Sequence, residues 1–256
     1  SRRLNKALSI LKGLLLNSSV AYCFIFFIFL SPIQIVVAEQ PHLIAIELSE
    51  VPIIDGEVLL DSAWRKGAPA TDFVQVRPQQ GAPASQQTKV YVGFSADTFY
   101  LAVVCYDDDP ETLIISDTRR DASLRNIDSF RFIIDAFQDR QNGFVFGTTP
   151  GGAQYDGQVA KEGSRDGGGG FNKNWDATWE VATKVDDFGW SAEFAIPFKS
   201  LRYSSGAIQD WGINFQRNIG RTDEVAYWSP LERQYNLFRV SQAGTLNAVK
   251  VPNQRN

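Results

Sequence analysis

The run KVYVGFSADTFYLAVVCYD, residues 89–107, restricts the fold of this chain more than any other stretch. Two strand-length segments, 90–95 and 99–106, flank Ala96, Asp97 and Thr98, and Asp97 suits a tight reversal. Val90, Val92 and Phe94 fall on one face while Tyr91, Gly93 and Ser95 fall on the other, the period-two pattern of a half-buried antiparallel strand. The second segment, Tyr100 through Cys105, is apolar on both faces and is expected to lie deeper. An aromatic-rich hairpin followed by the acidic exit Asp107, Asp108, Asp109 and Pro110 points to a β-sandwich.

The same pattern continues along the chain. Strands are expected at 43–48 and 53–56, and a helical turn at 61–64, capped by Asp61, pins Trp64 on the core. A polar loop covers 78–87. In 129–137, Phe130, Phe132 and Ile134 alternate with Ser129, Arg131 and Ile133. Hairpins follow at 143–149 with 153–159 and at 179–185 with 189–196, then a helical turn at 197–201 opened by Pro197. The last strands are expected at 211–217, 225–229 and 244–249. Short strands with turn signals between them, and no long amphipathic helix, predict one all-β domain over 39–256: an antiparallel, jelly-roll-like β-sandwich with one or two short helical turns.

Residues 1–38 read as an export signal. Arg2, Arg3, Lys6 and Lys12 form a basic start, residues 20–30 a dense apolar core, and Val36, Val37 and Ala38 the small-residue cleavage site, placing the cut after Ala38. The rival, a retained membrane anchor, is weakened by Ser31, Pro32 and Gln34, which interrupt the run before the roughly 20 residues that span a bilayer. Arg2 and Arg3 do not make a twin-arginine signal with Asn5 following, and Cys23 lacks a lipoprotein context. The expected destination is the periplasm, outer membrane or surface of a Gram-negative-type bacterium. No methionine occurs, so a fragment lacking its start is expected, with a continuation beyond Asn256.

The chain has 25 Lys and Arg against 29 Asp and Glu, a formal −4; four of the basic and none of the acidic residues lie in 1–38, so the remainder carries −8. That balance argues against nucleic acid or an anionic membrane as partner, both of which want a basic face. It is compatible with a neutral ligand or a bound cation. Beyond the signal only Cys105 remains, so no intramolecular disulfide is expected. Residues 164–174, with four consecutive glycines at Gly167 to Gly170, lack the Lys-Ser/Thr of a phosphate loop and read as a mobile surface loop.

Several segments, in order, resemble the family-9 carbohydrate-binding modules and, more closely, the related N-terminal domains of large exported bacterial proteins described as membrane-associated hydrolases. They begin with Ile54, Asp55 and Gly56 followed by Trp64, the hairpin of 91–106, and Arg119, Arg120 and Asp121. Next come Asp128, Ser129 and Phe130 leading to Asp135, then PGGAQYDG at 150–157 and Trp175, Asp176 and Trp179. GWSAE at 189–193, Ile196, Pro197 and Phe198, Leu201, Arg202 and Tyr203, WGINF at 211–215, Arg217, Arg221, and Trp228, Ser229 and Pro230 complete the set. The resemblance covers nearly all of 50–248. It implies a β-sandwich that binds oligo- or polysaccharide, sometimes with structural calcium, within a larger protein that degrades or imports polysaccharide. In longer relatives a region expected to be a β-barrel follows. Sugar-binding members grip a ring between two aromatics. The first position is Arg125 here, the second falls near Tyr235, and Asn214 matches the residue type on the strand beside the site.

A sugar offers apolar C–H faces and a rim of hydroxyls, so a site for it wants aromatic planes beside planar hydrogen-bonding groups. Trp64, Trp190 and Trp211 are expected in the core, whereas Trp175, Trp179, Trp228 and Tyr235 are the candidate platform. Arg119, Arg120, Arg125 and Arg131 cluster near Asp121 and Asp128. They either recognise hydroxyl or carboxylate groups, as a uronate would supply, or form Arg–Asp ties between loops, and the ties are the plainer reading. Asp107 and Asp109 are candidate calcium ligands against plain solvated turn acidity, and no cofactor is otherwise required. The only histidine, His42, leaves a triad or His-based metal centre without partners. Paired carboxylates for glycoside hydrolysis could be nominated in Glu180 with Glu193 or Asp128 with Asp135. The expectation is non-catalytic carbohydrate binding. A structural domain that packs against an outer-membrane barrel is the alternative from a different class, favoured by Arg125 at the clamp position.

Overall fold

The computed structural model describes residues 39–115, 118–164 and 169–252; the expected export signal at 1–38 and Gly167 and Gly168 of the glycine run lie outside the described residues. The chain runs through β1 (His42–Ile44), β2 (Ile46–Glu47), β3 (Val74–Arg77), β4 (Thr88–Phe94), β5 (Thr98–Tyr106), β6 (Ser129–Asp135) and β7 (Gly143–Thr148). It continues with β8 (Tyr155–Ala160), β9 (Gly170–Asn172), β10 (Glu180–Asp186), β11 (Gly189–Pro197), β12 (Ile208–Ile219), β13 (Glu224–Tyr227) and β14 (Gly244–Lys250). A five-stranded sheet has the order β10-β11-β5-β4-β2, and a nine-stranded sheet the order β1-β14-β12-β6-β7-β8-β9, with β13 paired to β12 and β3 to β13. Pairing is antiparallel except for β1 with β14 and β2 with β4. This is the all-β sandwich expected. The described residues hold six short 3-10 turns rather than one or two, and no α-helix.

Alternation places the core. Phe130, Phe132 and Ile134 of β6 and Trp211, Ile213 and Phe215 of β12 point between the sheets and meet Trp190, Ala192, Phe194 and Ile196 of β11. Phe132 sets its edge on Phe194 at 5.2 Å between ring centres, and Trp179 stacks on Phe194 at 5.8 Å and 9°. Burial of such side chains stabilises by about 1.5–3 kcal/mol each. Cys105 is buried and unpaired, and its burial pushes the thiol up to about 12.

Several segments depart from the sequence reading: residues 74–77, given no element there, form β3, and 170–172 of the expected mobile loop form β9 on the edge of the sheet beside β8. The strand expected at 43–48 is divided, β1 joining β14 in one sheet and β2 joining β4 in the other. One extended segment thus crosses the sandwich edge, a tertiary event that local alternation cannot encode. Residues 53–56 are not a strand. Gly56 has φ +87°, and a Cβ there would stand 2.6 Å from the backbone of Thr183, so this loop lies directly on β10. Asp61 caps the following turn by accepting the Ala63 N–H at 2.8 Å, which sets Trp64 on the outer face of the five-stranded sheet. There the buried Glu193 accepts the Trp64 indole N–H at 2.8 Å and the Gly56 N–H at 3.0 Å.

Candidate functional site

On β12 the residues facing away from the sandwich core are polar: Asn214, Gln216 and Asn218, all buried. Polar side chains on a buried strand must be covered by something, and here the cover is a second layer of chain. Val76, Ile133, Val145, Tyr155, Val225 and Leu237 form an apolar cluster on this outer face of the nine-stranded sheet. The loops around Arg125 and Tyr235 rise beside it and enclose a cavity of about 640 Å³. Small-molecule sites occupy roughly 300–1,000 Å³. Its lining includes Arg131 of β6, Tyr155 of β8, and Gln216 and Asn218 of β12.

Aromatic rings line one end. Tyr155 stacks on Phe171 at 5.9 Å and 15°, and Phe171 stacks on Phe238 at 4.8 Å and 20°. Lys173 Nζ lies 5.9 Å and the Arg131 guanidinium 6.0 Å from the Tyr155 ring centre. Burial pushes the Tyr155 hydroxyl up, and the nearby Arg131 charge opposes that shift. The Arg239 guanidinium covers the Tyr235 ring at 4.6 Å. Arg131 owes its place to a glycine. Gly147 is its partner on β7, and a Cβ there would stand 2.6 Å from the Arg131 Cγ.

The amides form a short relay. Gln216 Nε2 donates to Asn218 Oδ1 at 2.7 Å, and Asn218 Nδ2 donates to the Leu124 carbonyl at 3.0 Å and to Ser129 Oγ at 3.1 Å. This ties the loop that carries Arg125 to the sheet. Two buried polar atoms are left over: Gln216 Oε1 and Arg131 Nε have no hydrogen-bond partner, although the residues are paired across β12 and β6. Buried polar atoms are nearly always satisfied, so an orphan acceptor and an orphan donor on two residues of one cavity lining stand out.

Of the seven residues the sequence nominated for binding, Arg125, Arg131 and Tyr235 meet in this cavity. The others require correction. Trp179 and Trp228 are core residues, Trp179 against Phe146 and Phe194 and Trp228 against Phe215 at 5.2 Å, so neither presents a platform. Trp175 is half-buried against Phe144 at 5.0 Å, away from the cavity. Asn214 is spent inside the protein, donating to the Ser229 carbonyl at 3.0 Å and accepting the Ser229 N–H at 2.8 Å. Asp107 is buried, and its carboxylate faces Arg221 at 2.6 Å and Arg217 at 3.8 Å, so two guanidinium groups stand where a calcium ion would need to be. Asp109 is exposed and donates its N–H to Asp107 Oδ1 at 2.9 Å. Among the described residues no group of three or more His, Cys, Asp or Glu side chains is gathered for a metal.

Three of the four nominated carboxylates accept hydrogen bonds that hold the fold. Asp135 accepts the N–H groups of Phe137, Asp139 and Arg140, and Asp128 that of Ile114. Glu193 holds Trp64 and Gly56 as described, and Glu180 is exposed on β10. Arg120 pairs with Asp156 at 2.7 Å and with Asp176 at 3.2 Å, so the loop-tying reading holds for that residue. The cavity residues missed by the sequence reading are Tyr155, Phe171, Lys173, Gln216 and Asn218. One signal could have found two of them: the polar alternation Asn214, Gln216, Asn218 against Trp211, Ile213, Phe215 on a single strand.

No protein-family model and no curated protein matches the chain. Solved structures do. A family-9 carbohydrate-binding module from Caldicellulosiruptor kristjanssonii in complex with cellotriose is similar over 84% of this chain and 96% of that one, with TM-score 0.55 and 17% identity. Such a module from the same organism in complex with glucose is similar over 84% and 98%, with TM-score 0.52 and 16% identity. A candidate carbohydrate-binding protein from Bacteroides uniformis is similar over 82% and 99%, with TM-score 0.61 and 12% identity. The chain therefore has a fold like that of the family-9 modules.

Proposed function

We propose that this chain is a non-catalytic saccharide-binding domain and that the sugar occupies the cavity on the outer face of the nine-stranded sheet. One observation carries the reading: a single cavity joins the rings of Tyr155, Phe171 and Tyr235 to buried amide and guanidinium groups, with Gln216 Oε1 and Arg131 Nε unpartnered. Rings meet the C–H faces of a sugar, and planar polar groups meet its hydroxyls. Two fold neighbours were solved with cellotriose and glucose bound, which supports the class of ligand. The lining carboxylates are Asp223, ion-paired with Arg77, and Glu224, which accepts the Ser85 N–H at 2.9 Å. Asp223 is largely exposed and Glu224 is spent on a backbone N–H, which supports a domain that holds its ligand without altering it.

The basic and apolar start of the chain supports export, to the periplasm, outer membrane or surface of a Gram-negative-type bacterium. The resemblance supports a place in polysaccharide catabolism beside a region that follows this domain. Calorimetry against a panel of cello-, xylo- and uronate oligosaccharides tests the binding. Saturable binding, weakened tenfold or more per folded molecule by Gln216→Ala, is expected; no binding by any saccharide at millimolar concentration rejects the proposal. A second reading, a domain that packs against a barrel region, is favoured by the exposed apolar side chains of Val51, Ile53 and Leu60. It gains ground only if the panel is silent.

A further inference from the structure

We infer that the cavity selects an anionic saccharide, one whose carboxylate is held by Arg131 and Arg125; this rests on the reading of the cavity as the sugar site. The chain is acidic, with formal charge −4, yet this cavity is lined by Arg77, Arg125, Arg131, Lys173 and Arg233 against only Asp223 and Glu224. The pairing inside it does not cancel that excess. Arg77 takes Asp223 at 3.4 Å, and Glu224 is used by a backbone N–H. Arg233 reaches out to the Pro78 carbonyl at 3.0 Å, and at the rim Arg239 is matched by Glu162 at 2.7 Å. Arg125, Arg131 and Lys173 remain with no carboxylate partner among the described residues. Like charges gathered in one cavity repel, and they raise the local concentration of an anion that enters it.

The geometry favours a carboxylate on the sugar rather than a neutral ring alone. Arg131 is fixed by the space that Gly147 leaves for its stem, and its Nε hydrogen is buried and unused. A guanidinium fork so placed matches the two oxygens of a carboxylate, which a hydroxyl cannot reproduce. The adjacent orphan acceptor, Gln216 Oε1, suits a hydroxyl donor on the same ring. A uronic acid offers both groups.

The test is calorimetry on the whole chain with oligogalacturonate, oligoglucuronate and neutral cello-oligosaccharides, in dilute buffer and with added salt. Uronate oligomers should bind about tenfold or more tightly than neutral ones, because a hydrogen bond to a charged group outweighs a neutral one. That preference should shrink as salt screens it, and it should fall toward one in Arg131→Gln and in Arg125→Gln. Arg125 stands exposed on a loop, so its variant reports even if Arg131→Gln folds poorly. Equal affinity for uronate and neutral oligomers overturns the inference while leaving saccharide binding intact. Silence toward every saccharide removes the binding reading itself.

Discussion

Glu193→Ala is expected to destabilise the fold by about 3 kcal/mol without touching the ligand site. The side chain is fully buried on the outer face of the five-stranded sheet. It accepts the Trp64 indole N–H at 2.8 Å, the Gly56 N–H at 3.0 Å and the Asp55 N–H at 3.3 Å. Truncation strands the first two donors away from water, at about 1–3 kcal/mol each, while the Asp55 N–H lies nearer the surface and is recovered by solvent. Burial pushes the Glu193 carboxyl above its ordinary value, so loss of the charge offsets part of the cost. Glu193→Gln keeps the shape but turns an amino group toward N–H donors, and about 1–2 kcal/mol is expected.

Urea unfolding followed by tryptophan fluorescence measures both. With a slope of about 2–3 kcal/mol/M, Glu193→Ala should lower the midpoint by about 1–1.5 M and Glu193→Gln by less. Affinity per folded molecule should be unchanged in both, since the residue lies on the other sheet from the cavity. A midpoint unmoved by truncation would refute the claim that this carboxylate fastens the Trp64 turn. Lost binding at full stability would show that Glu193 acts on ligand.

Asp128 is buried, with Oδ2 accepting the Ile114 N–H and Oδ1 lacking a partner, and burial raises its carboxyl above the ordinary value. A raised folded-state value contributes stability that is fully present below about pH 4 and is lost as pH rises through the folded value; Asp128→Asn should therefore flatten the fall in melting temperature as pH rises above about 4, and an unchanged or steeper fall would contradict the assignment. Asp107→Asn should cost about 3–5 kcal/mol, because it leaves the buried Arg217 without its carboxylate and breaks the 2.6 Å pair with Arg221. Calcium or chelator should leave the wild-type melting temperature in place, and a rise with calcium would restore the metal reading of Asp107 and Asp109.

What could be read from the chain beforehand follows from how local each signal is. The hairpin of β4 and β5 was legible because period-two alternation and a turn residue are contained in one short stretch. The division of 43–48 between sheets was not, since Leu43 and Ile46 differ only in which distant strand each meets. The tryptophans misled for a related reason. Trp179 follows a glycine-rich loop and looks exposed in sequence, yet it precedes β10 and lies flat on Phe194 across the core. Gln216 and Asn218 become a cavity lining only when the loops at Arg125 and Tyr235 arrive from far along the chain.

The residues that carried the resemblance have a shared physical role, and it is mostly not ligand contact. Gly56, Trp64, Ser191 and Glu193 close one knot, with Ser191 Oγ donating to the Gly56 carbonyl at 2.6 Å. Arg120 and Asp156 close a second with the Ala177 N–H at 2.9 Å, Arg217, Arg221 and Asp107 a third, and Asn214 with Ser229 a fourth. Each knot binds a loop to a sheet through a buried polar group that would be costly to leave unpaired. Such knots specify the sandwich and say little about its guest. The fold itself is shared with sandwiches at only 12–17% identity. Arg125 lines the cavity and belongs to none of these knots, so a change there alters the charge of the cavity without disturbing the sandwich. The composition of the cavity, more than the fold around it, therefore sets what guest it can take.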